Sequence, residues 1–319
     1  MSLDAGGMGA VNQSVVLLFA GQGAQEVGMG KSLASDYEQA RLLIERADCE
    51  LGKPLSQVMF TGPVEELTRT SWCQPALYVH GLACWEALKG RCPSLEPAAA
   101  AGLSLGEFTA HAAAGTFDFS TGLSLVAQRG RFMDEACAET DGSMAAMIGG
   151  DEEAVRALAR QVDVDVANLN APGQIVLSGS RAGIAAAVAG AKEAGLRMGK
   201  ELEVAGAYHS RLMLGAQDKL AGVLEEAAFS EPAFPVIANV EAREVEGVAD
   251  IRETLERQVT GSVRWSQSME LLLDAGHETF IEFSPKPVLA ALLNRIRRGC
   301  RVVTVSDAES MTAAVTEFA

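Results

Sequence analysis

"AAAAGLSLGEF", residues 98–108, carries a short apolar run into Gly102, Ser104 and Gly106 and then into a segment with helical spacing. A strand that turns sharply through Gly-x-Ser-x-Gly into a helix would present the serine hydroxyl at the tip of the turn, over the end of a sheet. The two glycines suit such a bend, because no side chain blocks it or the approach of neighbouring backbone. The helix beginning beside Ser104 would also aim unpaired N–H groups and a positive dipole end at its oxygen. A glycine-rich turn with an incidental serine is the other reading, since small residues are common in tight turns.

Outward from that stretch, short apolar strands alternate with amphipathic helices, the pattern of α/β proteins. "SVVLLFA" (14–20) reads as a strand ending in the loop "GQGAQ", and helices are expected at 36–51, 75–89, 105–114 and 119–138. Beyond residue 139 the units shorten. "SMAAMIG" reads as a strand, 151–161 as a helix, "VDVANLN" and "QIVLSGS" as strands, 181–194 as a helix and 197–204 as a strand. That βαββαβ order is a ferredoxin-like unit. "FPVIANV" and "ETFIEF" then read as strands, with helices at 211–228, 250–260, 265–275 and 286–298.

The expected architecture is a large α/β-hydrolase-like domain with a parallel sheet, residues 13–138 and 207–319. A small ferredoxin-like domain at 139–206 interrupts it, and a cleft between the two is the default ligand site. Residues 1–12 read as a disordered leader without signal-peptide character.

The chain has 319 residues, 48% of them hydrophobic and 21% charged, which suits a soluble globular protein. Its formal net charge of −16 argues against nonspecific nucleic-acid binding, so an anionic ligand would need a local basic patch. "NRIRRGCR" supplies one candidate, with Arg295, Arg297, Arg298 and Arg301, and Lys286 lies upstream. A solvated helix end is the alternative reading of that run. The six cysteines are scattered without metal-ligand spacing and read as reduced cytoplasmic thiols, with no metal expected. Between Phe108 and Gln128 the only charge is Asp118, but Gly115, Ser120 and Gly122 interrupt the run, so two buried helices are expected rather than a membrane span.

A serine nucleophile needs a base, and four histidines are available. His80 sits in an apolar helical stretch and reads as a core residue. His111 lies two helical turns from the elbow. His209, in "VAGAYHSRLM" at the expected domain junction, and His277, before a late strand, both remain contenders. Arg129 shares a helical face with Val126, Met133 and Cys137. A buried guanidinium there needs an anion, either a ligand carboxylate or an internal salt bridge. "GQGAQ" lacks the G-x-G-x-x-G spacing and the Walker lysine, which excludes a nucleotide loop, but its backbone could complete an oxyanion hole.

At this point the chain resembles the malonyl-CoA:acyl-carrier-protein transacylases, whose fold also serves the acyltransferase domains of polyketide synthases. The matching blocks, in order, are "FAGQGAQEVGMG", "SWCQPALYVHG", "GLSLGEFTA", "AGTFDF", "LVAQRGRFMDEA", "GSMAAMIG", "NLNAPGQIVLSG", "GAYHSRLM", "VIANVEA", "RQVTGSVRWSQSM" and "EFSPKPVLAALLNRI". The resemblance implies a cytoplasmic acyltransferase of fatty-acid or polyketide synthesis. It would move malonyl from malonyl-CoA to the phosphopantetheine thiol of acyl carrier protein, without cofactor or metal. By matching position it implies Ser104 as nucleophile, His209 as base and Gln258 as the residue orienting His209. The N–H groups of Gln22 and Leu105 would form the oxyanion hole, Arg129 would hold the malonyl carboxylate, and Asn170 would face the cleft. Lys286, Arg297 and Arg298 are expected to dock the carrier or coenzyme A.

Three departures accompany the match. Leu103 replaces the histidine of the family's G-H-S-L-G, and Ser284-Pro285-Lys286-Pro287 replaces G-P-G-K. The tetrad "GAYH" (206–209) is nearer the H-A-F-H of malonyl-selective members, and the bulk of Tyr208 disfavours an α-methyl group. The competing expectations are a hydrolase using Ser104, His277 and Asp274, or an inactive carrier-binding scaffold.

Overall fold

The computed structural model describes residues 13–319; the leader expected at 1–12 lies outside them. In chain order the strands are β1 (Gln13–Phe19), β2 (Leu95–Gly102), β3 (Gly142–Ile148), β4 (Asp165–Ala171), β5 (Gln174–Ser180), β6 (Met198–Glu201), β7 (Val236–Ala238), β8 (Arg243–Glu244), β9 (Thr279–Phe283) and β10 (Arg301–Val305). They form two sheets.

The larger sheet runs β10-β9-β1-β2-β7-β8, parallel throughout except for β8 against β7. A parallel sheet covered on both faces demands continuous apolar strands, and β1 supplies one: Val15 to Phe19 are all buried. β1 and β2 pair from Val16 opposite Ala99 to Phe19 opposite Gly102, so the loop leaving β1 and the turn leaving β2 emerge side by side. On the other flank of β2, Ala101 faces Ile237 of β7, which delivers Asn239 to the same edge. The carboxyl ends of parallel strands are where such sheets bind ligands.

The smaller sheet, β4-β5-β3-β6, is antiparallel throughout, with the helices Glu152–Gln161 and Arg181–Gly190 in the connections. This is the βαββαβ unit the sequence predicts. Alternating side chains split its two faces. Ala145, Met147 and Leu177 build a separate core with Val155, Leu158 and Ile184, while Met144, Ala167 and Val176 join the core of the large sheet. The edge strand β4 is stitched to the main body: Leu169 N–H donates to the Val263 carbonyl at 2.9 Å, and Val263 N–H to Ala167 at 2.8 Å.

The apolar run after Phe108 divides as expected into the helices Leu105–Ala113 and Phe119–Glu139. Asp118 caps the second by accepting from Thr121 N–H at 2.8 Å. Among the described residues no helix is long and apolar enough to cross a membrane.

Several element expectations need correction. Arg301, read as the end of a basic run, opens the edge strand β10, for which the sequence analysis has no element. The stretch 211–228 is not one helix: a 3-10 turn at Arg211–Met213 precedes the helix Leu214–Glu226. Ser210 starts the 3-10 turn, its hydroxyl accepting from Leu212 N–H. The helix expected from 286 begins at Val288, because Pro285 and Pro287 disfavour helical backbone before them. Its first turn is held by Glu282, whose two oxygens accept from Leu289 and Ala290 N–H at 2.8 Å each.

Candidate active site

Ser104 sits at the turn between β2 and the helix Leu105–Ala113 with φ 54° and ψ −109°, a conformation that side-chain-bearing residues rarely adopt. The turn is too tight for any Cβ at its glycines: one on Gly102 would lie 1.9 Å from the Gly106 carbonyl, and one on Gly106 would lie 2.1 Å from the Phe19 oxygen. Asn239 straps the turn in place. Its Oδ1 accepts from Ser104 N–H at 2.7 Å, and its Nδ2 donates to the Gly102 carbonyl at 2.7 Å. The N–H of Ser104 is therefore occupied, while Gln22 and Leu105, the two expected oxyanion donors, line the same cavity as the serine.

Of the two contending histidines, the fold brings His209 to the serine. Its Nε2 lies 2.7 Å from Ser104 Oγ, and its Nδ1 lies 2.8 Å from the Gln258 backbone carbonyl. A carbonyl only accepts, so Nδ1 carries the proton and Nε2 presents its lone pair to the hydroxyl. Burial, and secondly the charge of Arg129, pull the His209 pKa down from 6.5 to about 4. The imidazole is thus neutral at physiological pH, the state a general base requires.

His277 lies elsewhere, around a surface depression with Arg297, Arg298 and Arg301. Asp274, the acid of the hydrolase alternative, pairs with Arg297 at 2.6 Å instead. The Ser104–His277–Asp274 arrangement does not form. His80 and His111 are buried in the core, held by the Ser306 carbonyl at 2.9 Å and by Thr116 Oγ1 at 3.0 Å.

Arg129, 1% exposed, comes from the helix Phe119–Glu139 with its guanidinium over the Phe108 ring. Its Nη2 donates to Ser104 Oγ at 3.2 Å and to Gln258 Oε1 at 2.9 Å, while Nε and Nη1 have no partner among the described residues. Burial lowers its pKa to about 10, which keeps it charged at neutral pH. The internal salt bridge considered for it is not made: the partners are an amide and a hydroxyl. A buried cation with three of its five N–H donors unused is costly unless a ligand anion completes it.

The nearest buried acid, Glu107, is pushed up to about 8 by burial. Its Oε2 accepts from Gln258 Nε2 at 2.6 Å and from Asn239 N–H at 3.1 Å. Glu107 and Asn239 were assigned no role from sequence, although both lie in matched blocks. Each makes its contacts with residues more than a hundred positions away, which local patterning cannot reveal.

Ser104 and His209 open onto a cavity of about 270 Å³ between the two sheets, with Arg129 buried behind the serine. Gln22, Ser104, Leu105, Tyr208 and His209 line it from one side, and Met144, Asn168, Asn170 and Val176 from the other. Tyr208 is fixed by a 2.7 Å hydrogen bond between its hydroxyl and Thr70 Oγ1. Asn170 Oδ1 has no partner among the described residues. Lys286 does not line the cavity; its Nζ lies 3.4 Å from the carbonyl of Gln25, which does, and 3.7 Å from Glu26. Arg297 and Arg298 do not join the cavity; they border the depression around His277. Among the described residues no group of three or more His, Cys, Asp or Glu could hold a metal ion.

Known proteins share this sequence and shape. The acyl transferase domain family matches residues 16–315. A malonyl CoA-acyl carrier protein transacylase of Bacillus subtilis (strain 168) is 40% identical over 306 residues, 94% of this chain and 96% of its own. One of Escherichia coli (strain K12) is 36% identical over 306 residues, covering 93% and 97%. The solved acyl-carrier-protein S-malonyltransferase of Bartonella henselae aligns with a TM-score of 0.91 at 35% identity, over 96% of this chain and 99% of that one. A malonyl-transacylase solved in complex with its type II polyketide acyl-carrier protein gives 0.92 at 34%, over 96% and 100%.

Proposed function

The chain belongs to the acyl transferase domain family, and from that membership we propose that it transfers malonyl from malonyl-CoA to the phosphopantetheine thiol of acyl carrier protein through a malonyl ester of Ser104. The observation that carries this reading is Arg129, a buried cation 3.2 Å from Ser104 Oγ with Nε and Nη1 unpartnered. A ligand carboxylate could accept from one of these free N–H groups, or bidentately along an edge that includes Nη2 once Nη2 gives up one of its present partners.

With malonyl-CoA so held, Ser104 Oγ attacks the thioester carbonyl while its proton passes to His209 Nε2. The tetrahedral oxyanion is received by the N–H groups of Gln22 and Leu105, each worth about 3 kcal/mol in comparable sites. Collapse breaks the C–S bond, and His209 returns the proton to the departing coenzyme A sulfur. The carrier thiol then runs the same steps in reverse, giving up its proton to His209 and releasing Ser104. Every step uses this chain's own residues and the thioester, and the reading calls on no metal or cofactor.

Tyr208, anchored to Thr70 beside the serine, supports malonyl over branched acyl groups, and the unpartnered Asn170 amide supports a polar contact with the acyl arm. Carrier or coenzyme A docking at Lys286, Arg297 and Arg298 belongs to the same proposal, Lys286 having the better position. So do an inserted domain bounded at 139 and 206 and a cytoplasmic location, the latter supported by six free cysteines.

Intact-mass measurement after mixing with malonyl-CoA tests the reading. A malonyl adduct on Ser104, discharged by the carrier thiol and absent from Ser104→Ala, is expected. Coenzyme A release without an adduct would point to hydrolysis instead.

A further inference from the structure

We propose that Glu107 is a positioning residue for carboxylate recognition: it fixes the orientation of the Gln258 amide, and through it the guanidinium of Arg129. The inference rests on the reading of Arg129 as the carboxylate site.

Gln258 is fully buried, and its amide has two unlike ends. The oxygen accepts from Arg129 Nη2 at 2.9 Å; the nitrogen donates to the Ser104 carbonyl at 2.9 Å and to Glu107 Oε2 at 2.6 Å. Arg129 can only donate, so the amide must turn its oxygen toward it. Rotating the amide by half a turn would set NH₂ against guanidinium and oxygen against the Glu107 carboxyl, two repulsive contacts in place of two good ones. Glu107 completes the restraint: the Ser104 carbonyl meets only one of the two amide hydrogens, and Glu107 Oε2, which also accepts from Asn239 N–H, meets the other.

Glu107 is itself pinned. Its Oε2 also accepts from Asn239 N–H at 3.1 Å, and the residue is wholly buried on the helix that begins at Ser104. It makes no ion pair with Arg129 within 4.0 Å; beside the through-space attraction between the two groups, its link to the guanidinium runs through the Gln258 side chain. With the amide held, Arg129 spends one nitrogen on Gln258 and Ser104 and keeps Nε and Nη1 for substrate. Without that restraint the guanidinium loses its fixed acceptor and the carboxylate loses a prearranged partner.

The test compares malonyl-CoA with acetyl-CoA in the acylation of Ser104, using the full chain and folding checked by circular dichroism. Glu107→Leu should lower the malonyl-to-acetyl ratio of kcat/KM about tenfold or more, chiefly by raising the KM for malonyl-CoA. Glu107→Gln should keep the ratio within about threefold of wild type, since an amide oxygen in the Oε2 position still accepts from both donors. Gln258→Leu should lower the ratio as Glu107→Leu does, and combining the two should lower it no further. If the leucine variant does not fold, Glu107→Met takes its place.

Equal losses for malonyl and acetyl, an unchanged ratio, or additive effects in the double variant would overturn the role of Glu107. A wild-type protein that shows no preference for malonyl would instead overturn the reading of Arg129, and the inference with it.

Discussion

Ser104 Oγ and Arg129 Nη2 lie 3.2 Å apart, so a single hydroxyl meets both a base and a cation. It donates to His209 Nε2 and accepts from Arg129, which matches the donor and acceptor capacity of a serine. In the proposed reaction the guanidinium would set the distance between the attacked carbonyl and the anion it holds.

Arg129→Ala should therefore cost malonyl transfer about 3 kcal/mol, as for truncating one partner of a buried charge pair. Acetyl-CoA has no acyl carboxylate to lose, so its transfer should change little. Arg129→Lys should rescue poorly, because an ammonium cannot reproduce the planar fork. The ratio of malonyl to acetyl specificity constants in wild type and both variants is the measurement. A constant ratio in folded protein would make Arg129 structural.

His209→Ala should abolish acylation of Ser104, while His277→Ala should stay within a few-fold of wild type. The contrast follows from position: His209 is 2.7 Å from Oγ, whereas His277 borders a depression separate from the reactive cavity. Loading of the serine, followed by mass, decides it. A dead His277 variant would restore the hydrolase reading.

What the sequence revealed and what it concealed differ in range. The elbow at 102–106 was legible because glycines, serine and helix are contiguous, and the small unit because its βαββαβ periodicity is local. β10 was missed: it is a short edge strand, only partly buried over most of its length, with no clean alternation to mark it. From residues alone His209 and His277 were equal candidates, since a histidine's partner is set by how the strands stack and not by its neighbours in the chain. Arg129 was expected to meet an anion within the protein or a ligand. Its actual partners, an amide from position 258 and the serine itself, are visible only once the helix Gly247–Arg257 is docked beside the elbow.

The docking charges can be separated by reversal. Lys286→Glu acts beside Gln25, which lines the reactive cavity, and should raise the Michaelis constant for the carrier protein while weakening its salt dependence. Reversing Arg297 and Arg298 together should act in the same direction if the docking surface extends that far. Arg297 is already paired with Asp274, so its contribution should be the smaller. Kinetics unchanged across salt in both variants would remove these residues from the docking surface.

The pH dependence of acylation tests the coupling between His209 and Arg129. Burial first, and the Arg129 charge second, lower the imidazole from 6.5 to about 4. With acetyl-CoA, whose acyl group carries no titrating carboxylate, kcat/KM should stay level on acidification until close to pH 4. Removing the cation in Arg129→Ala should move that limb upward, toward 6.5. Stability changes over the same interval and must be followed in parallel. Buried His80, His111 and His209 have folded pKa values of about 4, 3 and 4, against 6.5 for an ordinary histidine. Below 6.5 the unfolded chain therefore takes up protons that the folded chain refuses, and stability falls as the pH drops toward 4. Near-ultraviolet circular dichroism at each pH separates the two effects. A limb at 6.5 in wild type, unmoved by Arg129→Ala while the protein stays folded, would mean that His209 is solvated during the reaction and that the cation does not tune it.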